Sequence, residues 1–69
     1  MEKLAQRLLF LRKEHGKKQT EMAQALGLSI SAYCRYEYGE REPTASTIIR
    51  MAQYFGVSTD YLLGVRDDP

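Results

Sequence analysis

The chain has 69 residues, 43% of them hydrophobic and 28% charged, and its net charge is +1. This composition is typical of a globular domain and excludes a disordered chain, and the length predicts one domain spanning residues 1–69. One cysteine, Cys34, and one histidine, His15, exclude an internal disulfide and a four-ligand zinc site. We therefore expect no structural metal, no cofactor and a reducing, cytoplasmic environment.

The distribution of charge is more informative than its total. Residues 1–41 contain eight Lys and Arg against five Glu, whereas residues 42–69 contain two Arg against four acidic residues. A basic first part indicates a surface for an anionic partner, although an asymmetry of this size is also found on ordinary solvated surfaces. No apolar run approaches the ~20 residues of a membrane helix, and the start of the chain does not have the pattern of a signal peptide.

Apolar residues at helical spacing predict two helices in the first part of the chain. The first extends from about residue 2 to His15, and Gly16 follows as a stop. Its apolar face consists of Leu4, Leu8 and Leu11. The second is short, over residues 19–26, with Gly27 after it. Its apolar face consists of Met22, Ala23 and Leu26.

Three further helices are predicted by a hydroxyl residue at the start and a glycine at the end of each. The third spans residues 30–38, the fourth opens at Pro43-Thr44, and the fifth is short and runs through Leu63. The N-cap residues are Ser29, Thr44 and Ser58, and the terminating glycines are Gly39, Gly56 and Gly64. The apolar side of the fourth comprises Ile48, Ile49, Met51, Ala52 and Phe55. No segment alternates with period two, so the fold class is all-α, a compact array of five helices.

The segment from Gln19 to Gly39 has the spacing of a helix-turn-helix. Two short helices are joined by Gly27-Leu28-Ser29; in this motif the second helix enters the major groove of DNA and the first crosses the backbone. The small Ala23 permits close packing of the two helices, and Gly27 accepts the positive φ that such a turn requires. The predicted partner is therefore double-stranded DNA.

These motifs, taken together, resemble the Cro and phage-repressor class of helix-turn-helix regulators, often called the XRE family. The resemblance is carried by Leu8-x-x-Leu-Arg-Lys-x-x-Gly16, Gln19-x-x-Met-Ala-x-x-Leu-Gly27, Ser29, Tyr36-Glu-x-Gly39, Pro43 and Gly56-Val-Ser-x-Asp-Tyr-Leu-Leu63. It covers nearly the whole chain. It implies a five-helix, lambda-repressor-like DNA-binding domain with the helix-turn-helix at helices 2 and 3.

The resemblance implies four side chains in contact with bases: Gln19, Ile30, Ser31 and Arg35. Arg35 is the candidate for a bidentate bond to guanine, the commonest specific contact. Ile30 is placed to pack against a thymine methyl group, with local packing in the protein as the alternative. Gln19 is placed to reach a phosphate or a base at the edge of the groove.

Four basic residues flank the motif and are candidates for phosphate contacts: Lys13, Lys17, Lys18 and Arg41. Such contacts add affinity without specificity, and for each residue a solvated surface cation is the alternative. Two of them depart from the family pattern, because Lys17 replaces an inward-packing apolar residue and Lys18 replaces the N-cap. The second helix therefore keeps only Glu21 of a capping box.

The resemblance also implies a structural ion pair between Arg12 and Glu37, which would link the first helix to the end of the third. A guanidinium group holds a carboxylate bidentately and so fixes the angle between two helices. Tyr33 and Tyr36 occupy positions that face the core in this family. Their hydroxyl groups then need solvent or a partner.

The leading hypothesis is a homodimeric transcriptional repressor on an inverted-repeat operator, because one small module makes few base contacts and a two-fold pair restores specificity. The C-terminal part has more large apolar residues than a small core needs, and we expect some of them to form the dimer surface: Tyr61, Leu62, Leu63 and Val65. The alternative is that they are fully buried in the monomer. The alternative function is a protein-binding adaptor or antitoxin-like module. No nucleophile, metal or phosphate-loop motif indicates an enzyme, and we expect no small-molecule substrate and no membrane.

Overall fold

The computed structural model describes residues 2–69, and this part of the chain contains five helices and no strand. They are α1 (Glu2–Glu14), α2 (Gln19–Leu26), α3 (Ile30–Glu37), α4 (Ala45–Phe55) and α5 (Thr59–Leu63). The predicted order and the all-α class are confirmed, and α1 and α3 each end one residue earlier than predicted. None of these helices has the length and apolar character needed to cross a membrane.

The core is formed by the predicted apolar faces of α1, α2 and α4, together with side chains of α3 and α5. Its most deeply buried side chains are Leu4, Leu8, Met22, Tyr33, Met51 and Leu62. One part of the predicted stripe of α4 is wrong, since Ile49 keeps 49% of its surface exposed. Ile49 directly follows the buried Ile48, and one residue turns a helix by about 100°, which rotates the Ile49 side chain away from the core.

The predicted N-caps form at three helices. Ser29 Oγ accepts a hydrogen bond from the amide of Ala32 at 3.1 Å; Thr44 and Ser58 cap α4 and α5 in the same way. Helix α2 starts differently, because a lysine side chain has no acceptor. The Lys18 amide instead donates to Glu21 Oε1 at 2.8 Å, so the predicted half of a capping box is present.

The turn between α2 and α3 positions the two helices of the motif. Gly27 has φ +68°, a conformation that side chains resist, and the next amide, of Leu28, donates to Ala23 O at 2.8 Å. From α4, Arg50 Nη1 donates to Leu26 O at 2.9 Å. Arg50 therefore satisfies a carbonyl at the end of α2 and ties the motif to the fourth helix.

Candidate nucleic-acid interface

Helix α3 has one buried face and one solvent-exposed face. Tyr33, Tyr36 and Glu37 are buried, whereas Ile30 is 52% exposed and Ser31 and Arg35 are also exposed. Within residues 2–69 the side chains of Ser31 and Arg35 make no hydrogen bond or ion pair. All three predicted α3 base-contact residues are thus presented to solvent on the same face.

The predicted ion pair between Arg12 and Glu37 is confirmed. Arg12 Nε donates to Glu37 Oε2 at 2.8 Å, and Nη2 donates to Oε1 at 2.9 Å. The side chains are 13% and 2% exposed, respectively. Arg12 Nη1 also donates to Lys17 O at 2.9 Å. One guanidinium group thereby joins α1, the loop before α2, and the end of α3.

Two more donors reach the same carboxylate. The Tyr33 hydroxyl donates to Glu37 Oε2 at 2.8 Å, and Gln19 Nε2 donates to Oε1 at 3.1 Å. Burial alone would raise the pKa of Glu37, but the hydrogen bonds from Arg12, Tyr33 and Gln19 outweigh it and hold the pKa below its ordinary value. Glu37 is therefore a charged, fully hydrogen-bonded carboxylate.

The same contacts set the charge states of the partners. Burial and the hydrogen bond to Glu37 raise the pKa of Tyr33 strongly, which keeps its hydroxyl protonated as a donor. The hydrogen bond to Glu37 likewise raises the pKa of Arg12. Tyr33 is fully buried, so it is not available to stack on bases, and its hydroxyl has the partner that the sequence required.

Gln19 is half-buried at the start of α2 and is engaged within the protein. In addition to Glu37, its Nε2 atom donates to the hydroxyl of Tyr38 at 3.3 Å. Tyr38 directly follows α3 and is 63% exposed. Sequence reasoning missed Tyr38; its only signal was its place next to Glu37.

The four predicted phosphate-contact residues are all at the surface. Lys13, Lys18 and Arg41 are exposed, and Lys17 is half-buried. None of them forms an ion pair with another residue of the described range 2–69. Their charges are therefore not neutralised inside the domain, and they lie before, at and after the helix-turn-helix in sequence.

The predicted dimer residues divide into core and surface. Leu62 is 0% and Tyr61 9% exposed, so both belong to the core of the single chain. The guanidinium group of Arg7 covers the Tyr61 ring, with its carbon 4.1 Å from the ring centroid. Val65 is 71% exposed. Leu63 is half-buried and lines an open apolar pocket of about 190 Å³ between α4 and α5, together with Ala45, Ile48, Ile49 and Thr59.

Five short helices, an exposed face on the second helix of a helix-turn-helix and unpaired cations that flank the motif in sequence are typical of a DNA-binding domain. The sequence profile of the helix-turn-helix family matches residues 8–62. The chain therefore belongs to the XRE-type helix-turn-helix family of DNA-binding transcriptional regulators.

Individual relatives agree with this family. The HTH-type transcriptional regulator YobD of Bacillus subtilis is 38% identical over 64 residues, which cover 93% of this chain and 57% of YobD. The chain thus spans a little over half the length of this relative.

Two solved structures are also similar. The crystal structure of a transcriptional regulator from Listeria innocua has a TM-score of 0.84 at 38% identity, covering 88% of this chain and 57% of that one. The P22 c2 repressor, solved in complex with a synthetic operator, has a TM-score of 0.80 at 25% identity, covering 86% and 89% of the two chains.

Proposed function

We propose that this protein is a sequence-specific transcriptional repressor that binds an operator as a homodimer, with α3 in the major groove. The observation that carries the proposal is the exposed set on α3, where Ile30, Ser31 and Arg35 face solvent without partners in residues 2–69. The P22 c2 repressor, a structural neighbour solved on a synthetic operator, supports repression as the mode of action.

Each exposed side chain suits a different feature of a base pair. The guanidinium group of Arg35 matches the O6 and N7 acceptors of guanine, the hydroxyl group of Ser31 suits either a base edge or a phosphate, and Ile30 suits a thymine methyl group. Unpaired cations contribute phosphate contacts that position the protein without reading sequence. These cations are Lys13, Lys17, Lys18 and Arg41.

Dimerisation is proposed through the exposed apolar surface of α4 and of the segment after α5. Ile49 and Val65 are 49% and 71% exposed, and Ile49 and Leu63 line the apolar pocket. These positions lie on α4, on α5 and after α5, and none of them is a proposed base-contact residue of α3. Tyr61 and Leu62 are buried and are therefore left out of this proposed surface, whereas the exposed Ile49 is included.

Selection from a pool of random DNA duplexes tests the proposal. The selected sequence is expected to be an inverted repeat with half-site centres about 10 bp apart, or a multiple of that spacing. Affinity should fall steeply with salt, with a log–log slope of about −0.9 for each phosphate neutralised. A pool that shows no enrichment, with no steep salt dependence, would contradict DNA recognition and favour a protein-binding role.

A second arm tests dimerisation separately. Ile49→Asp and Val65→Asp are expected to reduce cooperative binding to the full operator more than binding to an isolated half-site. Phe10→Asp provides the matched control, because Phe10 is a similarly exposed apolar residue, at 54%, on α1. One chain per duplex at every protein concentration would refute the dimer and leave DNA recognition intact.

A further inference from the structure

Arg7 of α1 is bonded to the segment that follows α5, residues 64–69. Its side chain is 12% exposed, and its guanidinium group lies over the Tyr61 ring. The Nη1 atom donates to two carbonyl oxygens, that of Tyr61 within α5 and that of Arg66 beyond it. Because Nη1 has two hydrogens, both are used, and the carbonyls that accept them lie on either side of Val65 in sequence.

In the described part of the chain, Arg7 is the only residue of another helix that forms hydrogen bonds with segment 64–69. The other hydrogen bonds of the segment lie within residues 58–69. Among them, the amides of Val65 and Arg66 donate to Asp60 O at 2.9 and 3.3 Å. These bonds attach the segment to α5, which has only five residues, whereas Arg7 attaches it to the 13-residue α1.

A packing contact joins the same two parts of the molecule. Lys3, one helical turn before Arg7 on α1, lies so close to Gly64 that a side chain at Gly64 would collide with it. Gly64 has φ +82°, a conformation that side chains resist. Helix α1 therefore contacts the segment both before and after Val65.

Val65 and the apolar pocket together form a self-complementary patch. Val65 is 71% exposed and lies two residues after Leu63, which lines the pocket with Ile49. An interface with two-fold symmetry uses the same patch on both protomers, so that patch needs both a projecting apolar group and an apolar recess. This surface has both, and a second copy of the chain is therefore the partner that fits it.

We propose that Arg7 is a positioning residue for dimerisation: by holding segment 64–69 against α1, it keeps Val65 in the place from which it meets the pocket of a second copy. This inference rests on the proposed homodimer and refines it, because Arg7 lies on a helix outside the proposed dimer surface. A loosely held segment would have to be ordered when the dimer forms, and a two-fold pair incurs that cost twice.

Arg7→Met keeps a long side chain beside the Tyr61 ring and removes every donor. The ratio of affinity for the selected full operator to affinity for an isolated half-site is expected to fall about tenfold. Half-site affinity itself should not change, because Arg7 forms no hydrogen bond with α2 or α3. Hydrogen exchange of the Val65 and Arg66 amides, which bond to Asp60, should become faster, while exchange in α3 stays the same.

Two further variants separate positioning from general stability. Arg50→Met also removes a guanidinium group that donates to a backbone carbonyl, but at the end of α2, so it should lower the unfolding midpoint and leave the affinity ratio unchanged. Val65→Ala should lower the ratio in the unchanged protein and have little further effect in Arg7→Met, because Arg7 acts through Val65. A purely structural role of Arg7 would lower the midpoint without this coupling.

If Arg7→Met does not fold, Arg7→Lys is measured in its place. It keeps the charge and replaces the planar fork by one ammonium group, and it is expected to show both changes at a smaller size. If the unchanged protein binds cooperatively and the Arg7 variant does not change the ratio, or does not change exchange at Val65 and Arg66, the inference fails while the dimer stands. If the unchanged protein binds as one chain per duplex at every concentration, the dimer and this inference fail together.

Discussion

Replacing Glu37 by glutamine is expected to destabilise the fold more than any conservative surface change. The carboxylate accepts four hydrogen bonds, two from Arg12 and one each from Tyr33 and Gln19. A glutamine has one acceptor oxygen and one NH2 group at the same place. In either orientation the NH2 group meets a nitrogen of Arg12, which is itself a donor, so Glu37→Gln breaks the pair and leaves a guanidinium charge without a counterion.

The size of the effect follows from burial. Breaking a buried pair by removing one partner costs ~3–5 kcal/mol, whereas an exposed pair contributes ~1 kcal/mol or less. Glu37 is 2% and Arg12 13% exposed at the side chain, so we expect about 3 kcal/mol, the lower end of the buried range. For a domain of this size that corresponds to a decrease of roughly 12–24 °C in the unfolding midpoint.

The same substitution should remove part of the acid sensitivity of the protein. The hydrogen bonds hold the pKa of Glu37 below its ordinary value of 4.5, so the native state binds fewer protons than the unfolded state there. The contribution of Glu37 to stability is complete above about pH 4.5 and is lost as the pH falls through the native pKa. The stability difference between the unchanged protein and Glu37→Gln should therefore shrink in acid.

Urea unfolding of the two single variants and of the double variant measures the coupling. Arg12→Met keeps the length of the side chain and leaves Glu37 with only Tyr33 and Gln19 as donors. The double variant is expected to lose less stability than the sum of the two single losses. A coupling energy near zero at pH 7, or a stability difference between the unchanged protein and Glu37→Gln that does not change with pH, would refute this reasoning.

Four other variants each test a single contact. Arg35→Ala should cost about 1–3 kcal/mol in operator binding and relax the preference at one base pair. Lys13→Ala should instead weaken binding to all duplexes alike and reduce the salt slope by about 1. Titrations against the operator and against a scrambled duplex distinguish the sequence-specific loss from the general one. Tyr33→Phe, which leaves Glu37 Oε2 with one donor, should lower the free energy of unfolding by about 1–3 kcal/mol in urea. Arg50→Met, which leaves the carbonyl at the end of α2 unbonded, should lower it by about 1 kcal/mol, and hydrogen exchange should show the loss in α2.

The helices and their ends could be predicted from the sequence because the signals are local. Apolar spacing marks one face of each helix. A hydroxyl side chain that accepts a hydrogen bond from the amide three residues later marks the start of a helix, as at Ser29 and Thr44. The positive φ of Gly27 follows from the turn that it occupies. Such features depend on a few neighbouring residues, so they are present in the sequence before any tertiary packing exists.

Other features depend on which helix packs against which, and only the tertiary structure decided them. Leu62, which the sequence placed on a dimer surface, is buried because α5 packs against α1 and α4. The family pattern paired Arg12 with Glu37. It did not show that Gln19, 18 residues away from Glu37 in sequence, donates a hydrogen bond to the same carboxylate, because that contact depends on the packing of α2 against α3. A hydrogen bond requires two side chains to meet within about 3 Å, and for residues on different helices that distance is set by the crossing of the helices, which sequence spacing does not contain.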